Sequence, residues 1–307
     1  MTEDNVIKEK VYAHEFCIKL DLEMVYKGRG TMEFDNISVS RPGLQLAGFF
    51  KYFDASRVQV IGNSEYEYLL NLHSDERLAV LKKLFAFPDI PCVILARELP
   101  VMDELLQAAA EVECPVFRSN KITSILINEL VMYLNRLLAP SMTVHGVLLD
   151  VYGAGILLTG HSGIGKSETA LELIKRGHRL VADDAVYIKK IAEQLIGSSN
   201  DMIRYFMEIR GIGIINVKNM YGTGSVMYEK EVELVMELED WKDGKQYDRL
   251  GEELQWETIL GIKKPKLTIP VKPGRNLAII IEVAARNYRL KSMGYDAAKE
   301  LISRTNF

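Results

Sequence analysis

The eight residues 160–167, GHSGIGKS, constrain the fold of this chain more than any other segment. They fit the phosphate-binding pattern G-x-x-x-x-G-K-[ST], which requires a strand before it and a helix after it. An apolar run over residues 156–159 precedes the motif, and a helical pattern over residues 167–176, ended by Gly177, follows it. The sequence therefore predicts an α/β fold in which a strand, a loop and a helix form an anion site.

The positions of this motif have distinct predicted roles. The glycines allow a close approach of the backbone, and successive N–H groups form a concave anion site at the helix N-terminus. Lys166 can reach the outer phosphates of a nucleotide, and the Ser167 hydroxyl can ligate Mg²⁺. His161 occupies a variable position, so its side chain has no predicted role. The predicted nucleotide-binding residues are Gly160, His161, Ser162, Gly163, Ile164, Gly165, Lys166 and Ser167.

Several acids and bases follow the loop along the chain. Asp183 and Asp184 come after a short apolar run, where an acid can hold a Mg²⁺ shell or accept a proton, although a helix cap or a solvated turn is the alternative. The residues 208–216 contain an acid, Glu208, that could complete a metal site and a base, Arg210, that could neutralise phosphate. A plain strand and turn remain open for that run. Arg249, Lys272 and Arg275 are weaker candidates of the same kind.

His145 lies in a second predicted strand, residues 143–151. A four-residue turn, 152–155, suggests that this strand forms an antiparallel hairpin with the strand entering the loop. That pairing would bring His145 near the phosphates. A histidine in a strand is also compatible with an ordinary core position.

The length of 307 residues suggests about two domains, at roughly 150 residues each. A helical pattern over residues 121–138 stops at Ala139 and Pro140 and marks the joint, which gives predicted domains 1–133 and 134–307. In the first, strands are predicted at 58–61, 91–95 and 116–117, with helices at 74–85, capped by Ser74, and at 102–112. In the second, a strand is predicted at 232–238 and a helix at 276–292.

Composition excludes several classes of protein. With 38 Lys+Arg against 42 Asp+Glu the net charge is −4, so no global basic field points to nucleic acid. No apolar run approaches the ~18 residues of a membrane span, and the first ten residues lack the apolar core of a signal peptide. We therefore expect a cytoplasmic protein. Three scattered cysteines, Cys17, Cys92 and Cys114, are too few for a disulfide framework or a metal cage, and we expect them to be small buried apolar side chains.

From about Ser141 onward, the chain resembles the HPr kinase/phosphorylase family. The resemblance rests on ordered elements around the phosphate loop: VHG at 144–146, ADD at 182–184, EIRGIGIIN at 208–216, RLG at 249–251 and PVKPGRN at 270–276. The N-terminal half is similar to the smaller α/β domain of that family, although no chemical motif marks it.

The resemblance implies an activity and its partners. The enzyme would phosphorylate a seryl residue of the phosphocarrier HPr, using ATP or pyrophosphate with Mg²⁺. It would remove that phosphate by phosphorolysis, with inorganic phosphate as acceptor and pyrophosphate as product, in carbon catabolite control. The implied C-terminal fold is a P-loop kinase domain related to phosphoenolpyruvate carboxykinase. A homohexamer and, in some members, a glycolytic effector such as fructose 1,6-bisphosphate are further implications.

The resemblance also assigns residues. Asp184 would be the general base in phosphorylation and the general acid in the reverse reaction, with His145 and Lys166 beside the transferring phosphate. Ser167 and Glu208 would hold Mg²⁺, and Arg249 would stabilise phosphate charge. The segment serving both reactions would be Met207, Glu208, Ile209, Arg210, Gly211, Ile212, Gly213, Ile214, Ile215 and Asn216. The loop serving mainly dephosphorylation would be Pro270, Val271, Lys272, Pro273, Gly274 and Arg275.

Three other functions compete with this interpretation. A GTPase switch would need an Asn-Lys-x-Asp motif after the loop, whereas the pair Asn120-Lys121 precedes it and is followed by Ile-Thr. A small-molecule kinase would have the same loop and acids. A nucleotide sensor without catalysis is disfavoured by the set of candidate catalytic residues.

Overall fold

The computed structural model describes residues 8–243 and 255–305, and the chain divides into two units between Ala139 and Pro140. The strands are β1 (Glu9–Tyr12), β2 (Glu23–Tyr26), β3 (Thr31–Phe34), β4 (Val39–Ser40), β5 (Val58–Ile61), β6 (Val93–Leu95), β7 (Val116–Arg118), β8 (Ser141–His145), β9 (Val147–Val151), β10 (Ala154–Thr159), β11 (Arg179–Ala182), β12 (Ala185–Ile191), β13 (Gln194–Ser198), β14 (Phe206–Ile209), β15 (Gly213–Asn216), β16 (Glu229–Glu231), β17 (Leu234–Asp240), β18 (Gln255–Ile259) and β19 (Ile262–Val271). The helices are α1 (Ala13–Leu20), α2 (Gly43–Leu46), α3 (Asn63–Leu70), α4 (Ser74–Phe85), α5 (Asp103–Glu111), α6 (Thr123–Leu137), α7 (Lys166–Lys175), α8 (Val217–Tyr221), α9 (Leu277–Ser292) and α10 (Ala297–Thr305), with a 3₁₀ turn at Thr223–Ser225.

The first unit is built on a five-stranded sheet in the order β2-β7-β6-β5-β4. Strands β4 to β7 run parallel to their neighbours, and β2 pairs antiparallel with β7. Because helices connect the parallel strands and cover both faces, β5 and β6 are buried along their whole length. One hydrophobic cluster contains Phe16, Phe34 and Phe117, and a second contains Leu81 and Leu105. The unit is thus an α/β layer structure with its own core.

The second unit contains a six-stranded sheet in the order β11-β9-β10-β17-β19-β18. Strands β10, β17 and β19 are parallel to one another. Since β10 and β11 both pair antiparallel with β9, β11 points the same way as β10. The carboxyl ends of β11, β10, β17 and β19 therefore share one edge of the sheet, where the segments that follow them are brought together.

The two faces of this sheet are covered differently. Ile156 and Leu158 of β10 belong to a cluster that includes Leu173 of α7 and Ile281 of α9. Leu157, between them, belongs to another cluster with Val186. Alternate residues of a strand face opposite sides, so helices pack on one face and the four-stranded sheet β16-β13-β12-β8 packs on the other. The strand that leads into the phosphate loop is consequently central, and it is buried from Ala154 to Leu158.

Most predicted elements of the first unit are confirmed with adjusted ends. The strand at 58–61 is β5 and the helix at 74–85 is α4. The elements predicted at 91–95, 102–112 and 121–138 are β6, α5 and α6, each of which is shorter than predicted. The strand predicted at 116–117 is β7, which is one residue longer. The predicted cap Ser74 is wrong. Ser74 is the first helical residue, preceded by the extended His73, and its hydroxyl donates instead to Oε1 of Glu104 at 2.7 Å.

The single predicted strand at 143–151 is wrong, because the chain divides it between two sheets. Strand β8 ends at His145 and pairs with β12, whereas β9 begins at Val147 and pairs with β10 and β11. Gly146 lies between them, and a Cβ atom there would stand 2.5 Å from the carbonyl oxygen of Leu158. The close backbone approach accounts for glycine at the point where the chain changes sheets.

The predicted hairpin that enters the phosphate loop is confirmed, with a shorter turn. Val151 pairs with Ala154, so the turn consists of Tyr152 and Gly153, whose φ angles are 53° and 85°. Positive φ at both central residues is typical of turns that match the twist of paired strands. The four-residue turn of the prediction was two residues too long.

Other predictions need smaller corrections. The strand predicted at 232–238 begins and ends two residues later, as β17, and the predicted last helix begins at Leu277 because the side chain of Asn276 caps it by accepting from the N–H of Ile279 at 3.1 Å. Cys92 and Cys114 are buried and Cys17 is partly buried, and all three are free thiols. Within the part of the chain that the structure describes, no helix combines the length and apolar character needed to cross a membrane.

Candidate active site

The glycine-rich loop connects the end of β10 at Thr159 to the start of α7 at Lys166. Gly160, Gly163 and Gly165 have φ angles of 138°, 88° and 96°, which side chains disfavour. A Cβ atom on Gly160 would also lie 2.6 Å from the carbonyl oxygen of Leu238. The loop therefore needs glycine both for its curvature and for its approach to β17, and it ends at a helix N-terminus as the motif predicts.

The Lys166 side chain lies within the curve of this loop. Its Nζ donates to the carbonyl oxygens of Gly160 at 2.8 Å and His161 at 3.0 Å, and the residue is 7% exposed. Burial lowers the pKa of Lys166, while the carboxylates of Asp184 and Asp183 act in the opposite direction. A positive charge is thus held where the phosphates of a ligand would enter.

Asp183 joins three segments at the base of the site. Its Oδ1 accepts from the Ser167 hydroxyl at 2.9 Å, and its Oδ2 accepts from the backbone N–H of Glu208 at 3.3 Å. Asp183 is 6% exposed, and burial raises the pKa of its carboxyl. This residue ties the end of β11 to the first turn of α7 and to β14.

Asp184, the next residue, has an opposite environment. Its side chain is 75% exposed, with Oδ1 lying 3.0 Å from Nδ1 of His145. Its φ is 65°, and its carbonyl oxygen accepts from the N–H of Gly146 at 3.0 Å. The sequence left the roles of the two aspartates open; in the structure one anchors the site and the other faces solvent beside the loop.

His145 reaches this position by a different route from the predicted one. It does not lie on the strand that pairs with β10. It ends β8, where it pairs with Ala185, the residue after Asp184, across the β8–β12 ladder. Strand β9 starts directly after Gly146, and its first residue, Val147, pairs with Leu158 near the carboxyl end of β10. His145 therefore still lies at the edge of the sheet that carries the loop.

The hairpin of β14 and β15 carries the predicted residues of the run 207–216. Glu208 pairs with Ile214 and is exposed, while Arg210 follows the end of β14. Nη2 of Arg210 donates to the Ser162 hydroxyl at 3.1 Å, and Nη1 lies 2.7 Å from where a Cβ of Gly163 would be. A guanidinium group therefore lies against the phosphate loop.

The segment after β19 lies at the same sheet edge, two strands away from β10. Nζ of Lys272 is 5.0 Å from the centre of the Trp241 indole, and Nη1 of Arg275 donates to the carbonyl oxygen of Pro270 at 3.1 Å. Arg249, another predicted site residue, lies outside the described residues.

Two features of the site have no counterpart in the sequence-based predictions. The ring of His161 contacts Asp240, at the end of β17, through Nε2 and Oδ2 at 2.9 Å. Asp183 accepts a hydrogen bond from Ser167 of the loop. The sequence alone could not distinguish this structural role of Asp183 from the role of Asp184. An acid ending an apolar strand was the available signal for Asp240, but only the parallel pairing of β10 and β17 makes it a neighbour of the loop.

Among the described residues there is no group of three or more His, Cys, Asp and Glu side chains that could hold a metal ion unaided. The hydroxyl oxygen of Ser167 and the carboxylate oxygens of Asp183 nevertheless lie together, with Oγ 2.9 Å from Oδ1. Such a sparse set of oxygen donors suits Mg²⁺, which keeps several waters and is completed by substrate phosphates.

A glycine-rich loop at a helix N-terminus, with a lysine inside it and an exposed carboxylate beside it, forms a phosphate-binding site of the kind found in enzymes that act on phosphoryl groups. The chain matches the family model of the HPr Serine kinase N terminus over residues 11–134 and that of the HPr Serine kinase C-terminal domain over residues 136–305. The chain therefore belongs to the HPr kinase/phosphorylase family, whose members are bifunctional enzymes.

Curated relatives named HPr kinase/phosphorylase match along nearly the whole chain. The protein of Peptoclostridium acidaminophilum is 52% identical over 301 residues, covering 97% of this chain and 96% of the relative. That of Bacillus cereus (strain 03BB102) is 48% identical over 297 residues, covering 96% of both. A solved structure of the Hpr(Ser) kinase/phosphatase from Coxiella burnetii aligns at 41% identity with a TM-score of 0.48, covering 52% of this chain and 98% of that chain.

Proposed function

We propose that this enzyme transfers a phosphoryl group from ATP or pyrophosphate to a seryl hydroxyl of the phosphocarrier HPr, and reverses the transfer by phosphorolysis with inorganic phosphate. The observation that carries the proposal is the exposed carboxylate of Asp184, paired with His145 beside a phosphate loop. The names of the relatives supply the substrate class. The near-neutral net charge of −4 implies that recognition of HPr depends on local surfaces of the enzyme.

The loop residues 160–167 would bind the phosphates of the donor. Their N–H groups and the N-terminus of α7 favour negative charge, and the ammonium of Lys166 already lies within the curve. The guanidinium of Arg210, held at Ser162, would neutralise charge on the transferring group. Arg249 would do so as well, by its match to the family motif.

In the forward reaction, the seryl oxygen would attack the terminal phosphorus of the donor and give its proton to Asp184. The bond from that phosphorus to the bridging oxygen breaks, and ADP or phosphate leaves. The open position of Asp184 supports this role, because a base must come within hydrogen-bond reach of an incoming hydroxyl. His145, at 3.0 Å, would hold the carboxylate in orientation.

In the reverse reaction, an oxygen of inorganic phosphate would attack the phosphorus of the phosphoseryl group. The bond to the seryl oxygen breaks, pyrophosphate forms, and protonated Asp184 returns its proton to the serine. One group must serve both directions by microscopic reversibility, and a carboxyl group can accept a proton when ionised and donate one when protonated.

Ser167 and Glu208 would hold Mg²⁺, with Asp183 fixing both segments from behind. The bound ion would neutralise charge on the donor phosphates. The hairpin residues 207–216 would serve both directions, since their backbone is tied to Asp183 and Arg210 lies on the loop. The residues 270–275 would serve mainly dephosphorylation, by their match to the family motif, and they follow a strand of the same sheet, β19.

Further proposals rest on the family or on the sequence patterns described above. They are domains at 1–133 and 134–307, a catalytic domain related to phosphoenolpyruvate carboxykinase, a cytoplasmic homohexamer, a role in carbon catabolite control, and an effector such as fructose 1,6-bisphosphate. Sizing of the protein near six times 34.8 kDa would support the hexamer. Titration of fructose 1,6-bisphosphate into the kinase assay would test the effector.

The decisive experiment incubates purified protein with labelled ATP, Mg²⁺ and HPr, and then adds inorganic phosphate. We expect label on a serine of HPr, followed by its loss and the release of labelled pyrophosphate. HPr with its acceptor serine replaced by alanine is the control. Transfer of label to a metabolite and not to HPr would favour a small-molecule kinase.

A further inference from the structure

The imidazole of His161, within the phosphate loop, lies between two oxygen atoms. Nδ1 is 2.9 Å from the carbonyl oxygen of Ser162, and Nε2 is 2.9 Å from Oδ2 of Asp240. The carbonyl oxygen of His161 itself accepts from Lys166. The ring therefore connects the first turn of the loop to the carboxyl end of the neighbouring strand β17.

Neither of these oxygens can donate a hydrogen bond. A backbone carbonyl and an ionised carboxylate only accept, whereas a neutral imidazole has one N–H and one bare nitrogen. In the neutral ring, one bare nitrogen would face an acceptor at 2.9 Å. Only the doubly protonated ring satisfies both contacts.

The charges around this ring come from several elements. Asp240 of β17 contacts it directly, and Lys166 of α7 lies below its backbone. Arg210 of the β14–β15 hairpin bonds the adjacent Ser162, and Lys272 lies over Trp241, the residue after Asp240. The hydrogen bonds to Ser162 and Asp240 raise the pKa of His161, and the positive charge of Lys166 opposes that rise.

We propose that His161 is an imidazolium cation that forms an ion pair with Asp240. It acts as a positioning residue that shapes the phosphate loop and adds a positive charge to it. The ligand it favours is the anionic phosphoryl donor, and this part rests on the proposed function. Because the ring loses its charge as pH rises through its folded pKa, the contribution to donor binding is present at low pH and lost at high pH.

The charge state can be measured directly. The protein is labelled with ¹⁵N-histidine, and the ring nitrogens are followed by NMR through a pH titration without donor. The variant His161→Gln assigns the signals among the five histidines. We expect both nitrogens of His161 to remain protonated above the usual histidine midpoint of about 6.5, and the midpoint to fall in Asp240→Asn. An unchanged His161 midpoint in Asp240→Asn would overturn the proposed ion pair.

The effect on binding is measured with Mg²⁺·ATP from pH 6 to pH 9, by calorimetry. The ratio of the dissociation constants of His161→Gln and the unsubstituted protein removes the protonation of ATP itself. We expect the ratio to be about two- to fivefold at pH 6 and to approach one at pH 9. His73→Gln, in the other unit, should show no such trend. A ratio that stays constant with pH would overturn the electrostatic role of His161. Failure of the unsubstituted protein to bind Mg²⁺·ATP at any pH would instead contradict the proposed function. The ion pair between His161 and Asp240 would then be decided by the NMR result.

Discussion

The Ser167 hydroxyl donates a hydrogen bond to the buried carboxylate of Asp183 at 2.9 Å, and the same carboxylate accepts from the N–H of Glu208. One side chain thus satisfies donors from the phosphate-loop helix and from the hairpin beside it. Because one carboxylate accepts both hydrogen bonds, it couples the shape of the loop to the position of the hairpin.

Replacing Asp183 with alanine should destabilise the protein and impair both reactions. Two donors would be left without their acceptor, at a cost of about 1–3 kcal/mol in the free energy of unfolding. Asp183→Asn should lose less, since the amide oxygen can still accept one of the two bonds. Denaturant titration measures the loss, with the exposed Asp89→Ala as control. Equal stability of Asp183→Ala and Asp89→Ala would contradict the anchoring role.

Replacing Asp184 with asparagine should abolish catalysis in both directions while donor binding persists. Asparagine tolerates the φ of 65° at this position, so the change removes the base with little backbone strain. Loss of general base catalysis corresponds to about 10²- to 10⁴-fold in kcat. Rates are measured in each direction, together with the Kd of ATP. A variant that fails only in phosphorylation would refute the shared acid and base role.

The phosphate loop was predictable because its chemistry is local. The residues 160–167, the strand before them and the helix after them are contiguous, and the glycines are required by the curvature of that one segment. The position of His145 was not predictable in the same way. Its strand pairs with β12, some 40 residues further along the chain, and this long-range pairing leaves no periodic signal in the sequence.

Gly146 allows the chain to change sheets beside the site, and its replacement by alanine should be costly. The added Cβ would stand 2.5 Å from a backbone oxygen of β10, so the strand would have to shift, at about 1–3 kcal/mol. The displacement would also reach the residues on either side, including His145. Gly224→Ala is the matched control, because no atom lies within 4 Å of its Cβ position and its φ is ordinary. Thermal unfolding and kinase rates of the two variants should differ; a Gly146→Ala protein as stable as Gly224→Ala would be inconsistent with this contact.

Glu282 of α9 gives the protein an acid-sensitive contribution to stability. Burial acts to raise the pKa of Glu282, but hydrogen bonds from His178 and Tyr152 and the charge of Arg176 outweigh it, so the pKa is lowered. A lowered carboxyl pKa stabilises the fold above its unfolded value, about 4.3, and that stability is lost as pH falls through the folded pKa. Unfolding titrations from pH 5.5 to 3.5 should show the difference between the unsubstituted protein and Glu282→Gln shrinking with acid. The exposed Glu67→Gln should show no such change, and a difference that grows with acid would contradict the assignment.

The pairs of aspartates and histidines show where sequence reasoning ends. Asp183 and Asp184 are adjacent in the chain, yet one is 6% exposed and the other has a side chain that is 75% exposed, because the chain leaves β11 and turns at a positive φ before β12. The environment of the His161 ring likewise depends on Asp240, which is its neighbour only because β10 pairs with β17. Burial and cross-strand neighbours are set by packing, which a single sequence does not encode locally.

The loop after β19 should separate the two reactions. Lys272 lies over Trp241 and Arg275 bonds the carbonyl oxygen of Pro270, so each cation is held at the sheet edge that carries the phosphate loop. Phosphorolysis must bind an additional free phosphate, and cations in this loop would lower the cost of bringing that anion to the phosphoseryl group. Lys272→Ala and Arg275→Ala should therefore slow phosphorolysis by about tenfold or more, with a smaller effect on phosphorylation. Rates in both directions are measured over a range of inorganic phosphate, where a raised KM for phosphate is expected. Lys263→Ala, at the opposite end of β19, is the matched control, and equal losses in the two directions would refute the assignment of this loop to dephosphorylation.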